Sequence, residues 1–283
     1  MSSSVQQLAE KLIRYFSDCA GCIVAFSGGV DSAVVARAAA FALGENSLAV
    51  TATSASLSET ERNAATETAK QIGIRHRWIA TSEFENPNYL KNDERRCYHC
   101  KTELYSQLKP IQQQHPQWIL VNGANLDDQT DYRPGLQAAA EHQVRSPLAE
   151  CGLTKQQVRD VAKFWNLSVW DKPAAPCLSS RIAYGQTVSP ERLRMIEAAE
   201  RFLKDHGFGI VRVRYHEGDV ARIEIPCGDF VRLLEADLFQ DVQRHLAELG
   251  FRFVTLDLAG FRSGSLNSLV PVEVLAASGR VGS

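Results

Sequence analysis

The stretch Cys22-Ile23-Val24-Ala25-Phe26-Ser27-Gly28-Gly29-Val30-Asp31-Ser32 decides the fold. Residues 22–26 form a short apolar run that reads as a buried strand, and a helix is expected from about Ala33 to Leu43. Between them, Ser27-Gly28-Gly29-Val30-Asp31-Ser32 makes a glycine-rich turn. Glycines at such a junction let the backbone approach a phosphate, while amides at the helix start and the Ser27 and Ser32 hydroxyls can donate to it. The string lacks the Gly-Lys-Ser/Thr ending of a Walker loop and is not the dinucleotide G-x-G-x-x-G fingerprint. It reads as a pyrophosphate cradle, with Asp31 a carboxylate suited to a hard cation such as Mg²⁺.

Outward from this loop, strands and helices alternate. Val5, Leu8, Leu12 and Phe16 have helical spacing upstream. Downstream, SLAVTATS (47–54), RHRWIA (75–80) and WILVNG (118–123) read as strands, with helices predicted at ERNAATETAKQIG (61–73) and around TELYSQL (102–108). This βαβ series predicts an α/β, Rossmann-like domain with a mostly parallel sheet over residues 1–170, closed by a helix at Thr154–Trp165 with Thr154 as its N-cap. Residues 171–189, rich in Pro, Gly and Ser, read as a linker carrying Cys177. A smaller α+β domain is expected over 190–270: helix Pro190–Lys204, strands Ile210–Tyr215, Val220–Ile225 and Phe253–Leu258, and helix Ala236–Leu249. Residues 271–283 read as a tail.

The chain has 283 residues, 45% of them hydrophobic, and a formal net charge of −2. That length accommodates two domains with a sizeable core. The near-neutral charge argues against a large nucleic-acid surface and for small substrates. The opening MSSSVQQLAEK has no basic-then-apolar signal pattern, and no apolar run reaches the ~20 residues of a membrane span. A cytoplasmic location is expected. Seven cysteines in such a chain favour reduced thiols, metal ligands or catalytic sulfur over disulfides.

Two cysteine segments stand out. Cys177 lies in KPAAPCLSSR, outside any core periodicity, where Lys172 and Arg181 would favour the thiolate. RCYHCK (96–101) places Cys97 and Cys100 three positions apart just before the predicted 102–108 helix. This spacing suits a zinc knuckle, a redox pair, half of a disulfide framework, or a site with a third partner. Zinc would want a fourth protein ligand, and His99 between the pair is badly placed for it. Cys19-Ala20-Gly21-Cys22 repeats the spacing, but Cys22 opens a buried strand. In the small domain, Arg212 and Arg214 alternate onto one strand face, where two guanidiniums suit a phosphate or carboxylate. A solvated face with paired Glu has equal claim on spacing alone.

SGGVDS matches the ATP-pyrophosphatase (PP-loop) superfamily, which splits ATP between the α and β phosphates to activate an oxygen of its substrate. Together with DYRPGL (131–136), PCLSSRIAYG (176–185), VRVRYH (211–216), ARIEIP (221–226) and TLDLAGFRSG (255–264), it resembles the LarE family of ATP-dependent sulfur transferases from about Val24 to Gly264. The resemblance implies ATP and Mg²⁺ as cofactors, with Ser27, Gly28, Gly29, Asp31, Ser32 and Gly123 at the nucleotide and Asp31 and Ser32 assisting catalysis. It implies a pyridinium biscarboxylate mononucleotide as substrate, held by Arg181, Glu200, Arg212, Arg214 and Arg262. Its carboxylates would be adenylylated and converted to thiocarboxylates in nickel-pincer nucleotide formation. One branch of the family sacrifices a single cysteine, at the position of Cys177, as sulfur donor. That branch lacks the RCYHCK pair, and Cys97, Cys100 and Cys177 instead match a branch with a [4Fe-4S] cluster that carries an external sulfide. Glu224 and Asp229 align with acidic residues that hold a divalent metal in relatives, across a connection that is shortened here. A sulfide source and a homo-oligomer are expected, and nucleic acid and membrane are not. A tRNA thiolation enzyme and a non-catalytic nucleotide-binding regulator are the alternatives.

Overall fold

In a computed structural model, the structure describes residues 4–130 and 134–262. Asp131-Tyr132-Arg133 of DYRPGL, Ser263-Gly264 of the FRSG turn and the expected tail lie outside the described residues. The chain divides into two compact units: Met1–Glu83 with Cys97–Ala175, and Phe84–Arg96 with Pro176–Ser283. Residues 84–96 therefore belong to the second unit, although the sequence reading keeps them in the first domain.

The first unit is built on four parallel strands, β1 (Cys22–Ala25), β2 (Ser47–Thr53), β3 (Arg75–Ala80) and β4 (Ile119–Val121), in the order β3-β2-β1-β4. Side chains of β1 alternate between two cores, as a period of two requires. Cys22 and Val24, with Phe26 just beyond the strand, belong to a cluster with Leu12, Val34, Val35 and Val161. Ile23 faces a second cluster with Leu104, Leu108 and Leu120. A sheet covered on both faces by helices is the α/β arrangement that the alternating elements predict. The helix after β1 runs Val30–Leu43, three residues earlier than predicted. Val and Ser are weak helix formers, but Gly29 serves as an extended N-cap and the Ser32 hydroxyl donates to the Gly29 carbonyl, so local bonding overrides propensity. Thr154 caps the helix Lys155–Phe164 in a reciprocal box with Gln157.

The second unit holds a mixed sheet in which β5 (Arg212–His216) pairs antiparallel with β6 (Val220–Glu224), and β6 pairs parallel with β7 (Phe253–Leu256). Its helices include Pro190–Asp205 and Ala236–Glu248. Ile182, just after the Cys177 segment, bridges to Tyr215 of β5. No helix among the described residues is long and apolar enough to cross a membrane.

Candidate active site

The loop after β1 is braced by its own serines. Ser27 Oγ and Ser32 Oγ lie 3.1 Å apart, the Ser27 backbone N–H donates to Ser32 Oγ at 3.2 Å, and the Gly29 N–H donates to Ser27 Oγ at 3.3 Å. Its glycines are required by space. Gly28 has φ +72°, and a Cβ there would sit 2.6 Å from Ala65 Cα. A Cβ on Gly123, after β4, would meet the Ser32 amide nitrogen at 2.7 Å. The ends of two adjacent strands thus close on the first turn of one helix, whose amides lack intrahelical partners and favour an anion. The loop, its two hydroxyls and its glycine-tight walls fit a phosphate chain.

Asp31 lies in that first turn, where its Oδ1 accepts from Asn125 Nδ2 at 3.1 Å and its Oδ2 is ion-paired with Lys155. Sequence reading did not single out Lys155 and Asn125, which the fold places against Asp31. Lys155 is 124 positions from Asp31, and only the packing of helix Lys155–Phe164 against helix Val30–Leu43 brings them together. Beyond the end of β2, the buried Glu83 accepts from Ser54 Oγ at 2.5 Å and Ser56 Oγ at 3.3 Å, while its second oxygen is buried without a partner.

RCYHCK is inside a helix rather than before one, because helix Arg96–Gln114 begins one residue before Cys97 and includes Cys100. Positions i and i+3 share a helix face. Gly135 of the RPGL segment packs here, a Cβ on it falling 3.1 Å from Lys101 Cγ and 3.8 Å from the Cys97 carbonyl. Neither cysteine is in a disulfide, and Cys97 is exposed. In the second unit, Cys177 is an exposed free thiol at the N-cap of the short turn Leu178–Arg181. Lys172, in the first unit, is ion-paired with Glu61 at 2.8 Å. Burial pushes the Cys22 thiol up to about 12 and raises Cys19 as well, which disfavours thiolate chemistry in the other CxxC.

The predicted substrate residues of the second unit form a charged cluster, and most of it is buried. Arg181 and Glu200, 4% and 3% exposed, pair through Nε–Oε1 at 2.9 Å and Nη2–Oε2 at 3.3 Å. Arg181 also donates to the carbonyls of Pro176 and Cys177, fixing the thiol's backbone. Arg214 grips Glu224 Oε2 through Nε at 3.1 Å and Nη2 at 3.0 Å, and Glu224 is fully buried. Arg222 reaches the other Glu224 oxygen at 3.2 Å and also pairs with Asp257. The Arg212 guanidinium is pushed below its ordinary value by burial and then by the neighbouring Arg181, with Glu200 opposing. Arg262 is exposed, 3.7 Å from Asp257. Burial alone would raise Asp257, but the Ala259 N–H and the Arg222 guanidinium hold its carboxyl below the usual range.

A divalent metal at Glu224 and Asp229 does not fit this geometry. Both Glu224 oxygens already face guanidiniums, a positive surrounding that opposes a cation. Asp229 starts the separate short helix Phe230–Leu233 as its N-cap. No group of three or more His, Cys, Asp or Glu side chains able to hold a metal occurs among the described residues. Cys97 and Cys100 lie on one helical turn of the first unit and Cys177 belongs to the second; none of the three is in a disulfide, and thiols are the donor type that an iron-sulfur cluster takes.

Comparison with known proteins agrees with the loop and extends beyond it. The NAD synthase family model matches residues 2–92, about a third of the chain. An uncharacterised protein of Synechocystis sp. is 42% identical over 261 residues, covering 92% of this chain and 97% of that protein. The pyridinium-3,5-bisthiocarboxylic acid mononucleotide synthase of Lactiplantibacillus plantarum is 37% identical over 270 residues, covering 94% of this chain and 95% of the synthase. An uncharacterised protein of Methanocaldococcus jannaschii is 29% identical over 243 residues, covering 85% of this chain and 90% of its own. With similarity of that extent to the synthase, and with the PP-loop and both domains' motifs in place, the chain belongs to the LarE family of pyridinium-3,5-bisthiocarboxylic acid mononucleotide synthases.

Proposed function

We propose that this protein is an ATP-dependent sulfur transferase that replaces a carboxylate oxygen of pyridinium-3,5-biscarboxylate mononucleotide with sulfur, once for each carboxylate. A substrate carboxylate oxygen attacks the α-phosphorus of ATP, the bond to the bridging oxygen breaks, and pyrophosphate leaves. The amides of residues 28–32 and the Ser27 and Ser32 hydroxyls take up the charge developing on the leaving group. Lys155 supplies the fixed cation that a loop without a Walker lysine lacks. Asp31, paired with Lys155 here, is the carboxylate that would hold Mg²⁺, which would supply charge neutralisation at the phosphates. Sulfur then adds to the acyl carbon, the carbon–oxygen bond to phosphate breaks, and AMP departs with that oxygen.

In the second unit, Arg212 and Arg262 face the anionic substrate, while Arg181–Glu200 and Arg214–Glu224 hold the guanidinium array in register. A [4Fe-4S] cluster on Cys97, Cys100 and Cys177 would supply an iron without a protein ligand, able to carry external sulfide. The observation that carries the reading is the serine-braced glycine loop in a chain resembling the synthase over nearly its whole length. Its test is anaerobic reconstitution with iron and sulfide, then assay with ATP, substrate and added sulfide, and mass spectrometry of the protein. Several turnovers with intact Cys177 support it. A dehydroalanine at 177, with full activity in Cys97→Ala, would replace the cluster with a sacrificed cysteine.

A further inference from the structure

Residues 84–96 leave the first unit's sequence to join the second unit, and their buried polar groups converge on the turn that carries Cys177. Tyr89, Asn92 and Arg96 are all buried. The Tyr89 hydroxyl bonds Ser179 Oγ at 2.7 Å, and Arg96 Nη1 donates to the Ser179 carbonyl at 2.8 Å and to Asn92 Oδ1 at 2.5 Å. Asn92 Nδ2 in turn donates to the carbonyls of Ile182 at 3.2 Å and Ala183 at 2.8 Å. Asn92 has φ +56°, a left-handed conformation that Asn tolerates better than most residues, and its own carbonyl accepts from the Gly185 N–H. Ser179 is fully buried, whereas Cys177, two residues before it, is exposed. Residues 179–183 are thus clamped from below by side chains of one short segment, and the thiol projects from the clamped turn.

We infer that Tyr89, Asn92 and Arg96 are positioning residues for Cys177, fixing the thiol for sulfur transfer without touching nucleotide activation. The inference rests on the sulfur-transfer reading for its kinetic consequence, though not for its structural one. A bonded, buried mount is what a group needs if its placement must hold to within a fraction of an ångström, since small misplacements cost up to about a hundredfold in rate. Arg96 also immediately precedes Cys97, so the RCYHCK motif begins with a residue whose side chain already holds the Cys177 turn.

The test compares Arg96→Ala, Arg96→Lys and the milder Tyr89→Phe with the wild-type protein in two half-reactions and in amide hydrogen exchange. Thiolated product formation should fall roughly ten- to a hundredfold in Arg96→Ala, less in Tyr89→Phe, with partial rescue by Arg96→Lys, while pyrophosphate release stays within about twofold. Exchange should accelerate at residues 178–188 and not in β6. If both half-reactions fell together in step with the melting temperature, or if product formation were unchanged, the three residues would not be positioning residues. Should the wild-type protein form no thiolated product, the sulfur-transfer reading fails by itself, and exchange then decides. Unchanged exchange at 178–188 in both Arg96→Ala and Tyr89→Phe overturns the inference.

Discussion

The loop at residues 27–32 and the cluster around Arg214 both gather positive groups, but they are built in opposite ways. In the loop, the positive potential belongs to backbone amides at a helix start, and side chains only brace them, as Ser27 and Ser32 do across 3.1 Å. In the cluster, the potential belongs to side chains brought from separate segments, each held by a buried carboxylate: Arg181 by Glu200, Arg214 by Glu224. A backbone site fails when atoms are added to it. A side-chain lattice fails when one half of a pair is removed, because the remaining charge is stranded out of water.

The sharpest contrast should come from Arg214→Ala, which strips the buried Glu224 of the Arg214 guanidinium on its Oε2. A loss of about 3 kcal/mol in stability is expected, measured by denaturant unfolding, while Arg214→Met combined with Glu224→Leu should recover most of it. If the single variant were as stable as the parent, the lattice would not be holding the second unit together. Adding one methyl to the loop should act on function instead. Gly123→Ala pushes a Cβ toward the Ser32 amide nitrogen, and pyrophosphate release should fall roughly a hundredfold. Normal release would mean that the wall at Gly123 does not shape the phosphate site.

Lys155→Ala should weaken ATP by about 2 kcal/mol, the worth of one charge-assisted hydrogen bond, and calorimetry with a non-hydrolysable analogue would measure it. Unaltered affinity would confine Lys155 to neutralising Asp31. The smallest effect concerns pH. Burial, then Arg222 and Arg214, hold His216 below its ordinary value, and Arg222 Nε donates to its Nε2 at 3.0 Å, which requires the neutral ring. A group whose folded value is lowered binds protons more readily when unfolded. Stability should therefore be complete above about pH 6.5 and decline as pH falls through the window beneath it. His216→Gln should flatten this part of a melting-temperature profile, and an unchanged slope would assign the decline elsewhere.

The two regions also differ in how much of them can be read from sequence. The loop is local: SGGVDS carries its glycines, hydroxyls and acid in six consecutive positions after an apolar strand, so the fold class and a candidate phosphate site are legible together. Gly123 is legible by its place at a strand end. Lys155 and Asn125 are not, since nothing near them in sequence signals Asp31. In the cluster, alternation puts Arg212 and Arg214 on one strand face correctly, but spacing says nothing of burial. The register that sets Arg214 opposite Arg222, with Glu224 two residues on, turns an expected clamp into an internal ion pair. Helix propensity likewise starts the helix after Cys100, whereas the bonds of Arg96 to Asn92 and Ser179 begin it before Cys97. Tertiary contacts decide all three.

The central claim is that the loop activates a carboxylate with ATP so that sulfur can replace its oxygen. The most direct measurement incubates anaerobically reconstituted protein with ATP, Mg²⁺, sulfide and pyridinium-3,5-biscarboxylate mononucleotide, quantifying pyrophosphate and weighing the nucleotide product by mass spectrometry. Pyrophosphate formed in step with replacement of one carboxylate oxygen by sulfur per ATP is the expected result, abolished together in Ser32→Ala. A substrate of unchanged mass, or thiolation that proceeds without pyrophosphate release, would contradict it.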